Sequence, residues 1–129
     1  MGLLERFWDP LKRGERAQRQ YHLEAIVKAA TAGAMRQVAG TEPAVFAHRH
    51  NGAIGIDPRF LAVWYVFSTE ADFKAARVGG LTGLLDRSTR ELLEARGYPK
   101  FAVSFIAVSF TSDEDIRKKT SGNYEQYFK

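Results

Sequence analysis

The chain has 129 residues, 45% of them hydrophobic and 26% charged, a balance that fits one globular domain and excludes a disordered chain. It holds no cysteine, which excludes disulfides, thiolate nucleophiles and cysteine-bearing zinc or iron–sulfur centres. A net charge of +4 and a pI of about 9.5 lean mildly toward acidic partners.

Residues 1–14 read as an N-terminal amphipathic arm ahead of a single domain over 15–129. Leu4, Phe7, Trp8 and Leu11 fall at helical spacing beside Arg6, Lys12 and Arg13. An isolated stripe of this kind is expected to lie on the domain's own core, and a membrane surface is the weaker expectation. The start shows no signal-peptide pattern, and Arg6 stands where a myristoylation pattern wants Ser or Thr, so a cytoplasmic location is expected. Asp9-Pro10 offers a second helix start, as cap and first-turn proline.

From Glu15 to Val38 the spacing predicts a long helix with Leu23, Ile26, Val27, Ala30 and Ala34 on one face. Asn51-Gly52, between Ala44–His50 and Ala53–Ile56, predicts a hairpin, because both turn residues must accept positive φ. Phe60–Phe67 and Phe101–Phe110 are apolar almost throughout and predict two inner strands covered on both faces. Between them, Ser68 or Thr69 caps a short helix that stops at Gly79-Gly80. A second helix follows, with Leu81, Leu84, Leu85, Ser88, Leu92 and Ala95 inward. Thr111-Ser112-Asp113 opens a last helix, and Tyr124, Tyr127 and Phe128 form an aromatic tail. The expected fold is α+β in the order α-β-β-β-α-α-β-α. Its sheet has about four strands, antiparallel or mixed, with the long helix and the 81–96 helix on one face.

Three groups of residues compete as functional sites. His48 and His50 share one strand face, and His22 is a distant third nitrogen; three scattered imidazoles make only a weak metal set, and no cofactor is expected. Gly80-Leu81-Thr82-Gly83 joins two helices, with Arg77 and Arg87 on either side. This G-x-x-G turn, within a helix–strands–helix–helix–strand order over residues 15–111, resembles the type II KH nucleic-acid-binding fold. The resemblance implies that the Gly80–Gly83 backbone approaches nucleic-acid phosphates while a neighbouring groove holds the bases. The order carries one strand too many for that fold, and Leu81 and Thr82 are not basic. Read from the residues alone, Gly79-Gly80 is a helix stop followed by a tight turn. The third group is aromatic: Phe7, Trp8, Tyr124, Tyr127 and Phe128 sit at the chain ends as core cover or as protein-contact anchors.

No Gly-x-Ser-x-Gly, Walker-type or His-Glu-x-x-His motif is present, and Asp113, Glu114 and Asp115 are dipole partners rather than an acid–base pair. An enzyme is therefore the weaker expectation. The leading expectation is a small domain that binds a protein partner or its own copy, of an accessory or immunity type. Single-stranded nucleic-acid binding through Gly80–Gly83 is the second. A small-molecule or enzymatic site near Trp64, His48 and His50 is the third.

Overall fold

The computed structural model describes the backbone of residues 10–128 and the side chains of 13–128; Phe7, Trp8 and the rest of the expected arm up to Lys12 lie outside the described side chains. Helix α1 spans Pro10–Gln37, so it begins at the Asp9-Pro10 signal and runs unbroken past position 15. Leu23, Ile26, Val27, Ala30, Ala34 and Val38 are buried along one face. Its Gly33 faces Leu92, and a Cβ there would lie 3.0 Å from the leucine Cδ1, so the missing side chain lets two helices approach closely.

The sheet has three strands in the order β1-β2-β3, formed by Val45–Asn51, Ala62–Phe67 and Ala107–Ser112. β1 runs antiparallel to β2 and β3 runs parallel to it, so the sheet is mixed. The crossover from β2 to β3 is made by α2 (Glu70–Val78), α3 (Leu81–Ala95) and a short turn of helix, α4 (Lys100–Val103). After β3 come α5 (Asp113–Thr120) and α6 (Tyr124–Tyr127).

Two expectations are corrected: the first reduces four strands to three, and the second shortens the last strand. The hairpin at Asn51-Gly52 does not form: β1 pairs with β2 instead, His50 opposite Val63 and Arg49 opposite Trp64. Residues 53–56 make a turn because their main chain is claimed by α1. The Gly55 amide donates to Gln20 Oε1 at 2.6 Å, and its carbonyl accepts from Arg19 Nε at 2.8 Å. Gly52 is still required, at φ +124, but because a Cβ would strike the Phe60 carbonyl. The second correction is at Phe101–Phe110, where the first part is helical and only Ala107 onward is strand. Pro99 starts the turn. Arg90 then holds the carbonyls of Val103 and Ile106 at 2.6 and 3.1 Å, which gives the carbonyl end of this short helix charged donors. β3 is consequently an edge strand, and β2 is the inner one. Without the hairpin strand, the order over 10–112 becomes helix, two strands, two helices, a short helical turn and strand.

The faces of β2 divide the protein into two layers. Val63, Tyr65 and Phe67 point into the main core with α1 and α3, as the shared face of these helices predicts. Tyr65 is fully buried and its hydroxyl lies 2.6 Å from Thr89 Oγ1, which itself donates to the Leu85 carbonyl at 2.7 Å; Tyr65 therefore donates to Thr89. Trp64 and Val66 point the other way. Val66 and Ile116 are fully buried outside the main core, in a thinner layer made by α5 and α6.

Candidate nucleic-acid interface at the α2–α3 corner

Thr69 caps α2 by accepting from the Asp72 amide at 3.0 Å, and Glu70 and Asp72 occupy its positive end. The helix closes on Gly79, whose amide donates to the Ala75 carbonyl at 2.9 Å. Gly80 then takes a left-handed conformation, φ +86, and α3 starts at once. This is where glycine is needed: a side chain at that φ is strained even though nothing lies within 4 Å of its Cβ position. Gly83 is equally open.

α2 and α5 both begin under a capping hydroxyl, Thr69 and Ser112. α3 has no side-chain cap, so the first-turn amides after Gly80 are free of a side-chain acceptor. Around them Lys74, Arg77, Gly79, Gly80, Gly83, Leu84 and Arg87 are exposed, and Val78 is 79% exposed. Arg77 lies 5.4 Å above the Phe73 ring, one turn back along α2, so its guanidinium rests against the helix. Among the described residues Lys74, Arg77 and Arg87 have no carboxylate within ion-pair distance. Asp86, the nearest acid in sequence, is held by Arg90 at 2.7 Å. The corner can therefore offer main-chain donors, three cations and two aliphatic side chains to an anionic ligand with apolar parts. Gly80, Gly83, Arg77 and Arg87 were legible in the sequence. Lys74 was not, although a lysine three residues before Arg77 shares its helix face.

The other candidates are dispersed. Tyr124, Tyr127 and Phe128 are half-buried and cover Trp64, with Phe128 at 5.3 Å and Tyr127 at 6.4 Å between ring centroids. Tyr124 donates to Asp113 at 2.6 Å and Tyr127 to Asp115 at 2.7 Å. Burial and the Asp113 carboxylate push the Tyr124 hydroxyl up to about 12. Arg117 and Tyr124 hold Asp113 below the ordinary carboxylate range, and Tyr127 and Lys119 do the same for Asp115.

His48 and His50 face the α1 side of β1, opposite Tyr65 and Val63, whereas Trp64 faces the tail. Burial lowers the pKa of both; Arg49 adds to the effect at His48, while Glu24 opposes it at His50. His22 is exposed on α1, and the described residues contain no group of three metal-ligating side chains. A depression of about 280 Å³ opens between β1 and α6, lined by Arg49, His50, Asn51, Tyr124, Glu125 and Phe128.

Sequence reasoning missed one surface. Phe60, Phe101 and Phe105 are 54, 63 and 66% exposed on neighbouring segments where β2 and β3 begin. An unbroken apolar run reads as buried strand; the signal against it was Pro99 followed by two phenylalanines at helical spacing. No protein family, curated protein or solved structure matches the chain.

Proposed function

We propose that this chain is a binding domain for single-stranded nucleic acid, engaging backbone phosphates at the Gly80–Gly83 turn. The observation that carries the reading is the trio Lys74, Arg77 and Arg87, unneutralised around that turn. Arg59, Arg90, Lys100, Arg117 and Lys119 are each held by a carboxylate; among the described residues exposed Arg36, Arg96 and Lys118 are as free of one as the trio, so it is the open glycine turn that sets this corner apart. Phosphates attract such free cations, and the open glycines let a backbone come close. Val78 and Leu84 supply apolar contact for bases. The resemblance to the type II KH fold implies the same use of a G-x-x-G turn, and the three-strand order removes the extra strand that stood against it. Because Leu81 and Thr82 are not basic, the charge in this reading comes from the flanking helices.

The test is anisotropy with short labelled oligo-dT and oligo-U across a salt series. Three phosphate contacts give a slope of about −2 in log affinity against log salt, roughly a twentyfold loss between 50 and 200 mM. The pair Arg77→Glu and Arg87→Glu should abolish binding, and Lys100→Glu in α4, past the far end of α3, should not. No binding by the wild-type chain at 20 mM salt sinks the reading. A second reading, a protein-contact domain, is favoured by the separate observation of Phe60, Phe101 and Phe105 in solvent.

A further inference from the structure

We infer that the depression between β1 and α6 is a binding site for a small zwitterion, a free amino acid with an apolar side chain. It shares no residue with the α2–α3 corner, so it stands whether or not that corner binds nucleic acid.

The depression holds about 280 Å³, just under the range of drug-sized ligand sites, which suits one amino acid. Its walls are fixed before any ligand arrives. The Tyr124 hydroxyl is tied to Asp113 at 2.6 Å, and Phe128 rests on the Trp64 indole at 5.3 Å. The Asn51 side-chain amide donates to the Phe128 carbonyl at 3.1 Å and fastens β1 to the tail. The Tyr124 and Phe128 rings meet edge to face at 6.0 Å, an apolar surface on which a side chain can lie.

Two charges set the ligand's chemistry. Arg49 lies 5.3 Å above the Tyr124 ring, and Glu125 lines the same depression. Both are exposed, yet neither is within ion-pair distance of the other or of any other opposite charge among the described residues. On the adjoining α5, by contrast, Arg117 and Lys119 hold Asp113 and Asp115. A simple anion is drawn by Arg49 and repelled by Glu125, and a simple cation meets the reverse. A ligand with both charges satisfies both, its carboxylate on Arg49 and its ammonium on Glu125, beside ring faces that also attract a cation. Burial holds His50 below its ordinary pKa, so that wall is uncharged at pH 7 and Arg49 is the one cation lining the depression among the described residues.

Titration of the ¹⁵N-labelled full chain with L-phenylalanine at pH 7 reads this out. The amide signals of residues 49–51 and 124–128 should shift and saturate in the millimolar range. N-acetylphenylalanine lacks the cation, and phenylalaninamide lacks the anion. Each should bind about three- to fivefold more weakly, the scale of one exposed ion pair. R49Q and E125Q change exposed side chains and should weaken phenylalanine binding by a similar factor. E125Q should also bind N-acetylphenylalanine more tightly than the wild type does, a gain that damage to the fold would not produce. Three ligands that bind alike overturn the inference. So does the absence of a saturable shift at these amides up to 20 mM phenylalanine, or an E125Q chain that gains nothing for the acetylated ligand. The assay contains no nucleic acid, so its failure leaves the corner reading intact, and a failed oligonucleotide titration leaves this site intact.

Discussion

The Tyr127 hydroxyl donates to Asp115 Oδ2 at 2.7 Å and lies 2.7 Å from Thr111 Oγ1, so the threonine must donate to the tyrosine. This chain fastens α6 to β3 across the thin layer, and its anchor is an ionised carboxylate. Asp113 and Asp115 both have pKa values below the usual range in the fold. A depressed carboxylate contributes stability that is present above its unfolded pKa, near 3.9, and lost as pH falls through the folded value. Wild type should therefore be more stable than Asp113→Asn/Asp115→Asn at pH 7, with the difference closing below about pH 4. Urea midpoints measured from pH 3 to 7 check this; a gap that stays constant over that range refutes it.

Phe128→Ala should uncover Trp64. The ring packed at 5.3 Å disappears, and the indole gains water. In a Trp8→Phe background, the emission should move to the red, with a stability loss of about 1–2 kcal/mol, since the site is only half-buried. An unchanged spectrum would mean that α6 does not cover the indole.

Gly52 and Gly80 both have positive φ, yet their substitutions should differ. At Gly52 an added Cβ strikes the Phe60 carbonyl, whereas at Gly80 it meets nothing within 4 Å. Gly52→Ala should cost about 3 kcal/mol or more and Gly80→Ala about 1 kcal/mol. Thermal melts that rank them the other way would contradict the placement of residues 52–60.

Thr89→Val keeps the shape of a fully buried side chain but leaves the Tyr65 hydroxyl without its acceptor. The expected loss is about 1–3 kcal/mol. Adding Tyr65→Phe should recover most of it, because the double variant buries no unpaired oxygen. A double-mutant cycle with no coupling between the two positions would disprove the bond's role.

Helix caps and the α1 face were the legible part of this chain; on α3, Leu84 and Ala95, expected inward, are exposed, and Thr89 and Leu93 are buried instead. The Leu23–Ala34 stripe, the Thr69 and Ser112 caps and the stop at Gly79 are set by neighbours within one or two turns, and such signals survive folding unchanged. The hairpin was not legible. Asn51-Gly52 carries the same local signal whether glycine serves a two-residue turn or a close approach to Phe60, and only the reach of Arg19 and Gln20 from α1 decides between them. Phe101–Phe110 failed for a related reason: Arg90, far back in sequence, holds the helical turn in an apolar run that reads equally as strand. At the α2–α3 corner the glycines and two arginines were visible. That their charges stand unmatched was not, because ion pairing is a property of the assembled surface.

The parallel pairing of β2 with β3 joins Ala62 to Ala107, forty-five residues on, whereas β1 meets β2 across a short connection. Closing the longer loop costs more entropy and waits on α2 and α3 being in place. Because α6 is fastened to Thr111 of β3, the aromatic cover over Trp64 can form only after that strand arrives. In a Trp8→Phe chain, Trp64 emission should therefore report the last step of refolding, later than the helical signal. Its lag behind that signal measures how long the outer face of the sheet stays bare, the interval in which the nascent protein is most open to aggregation.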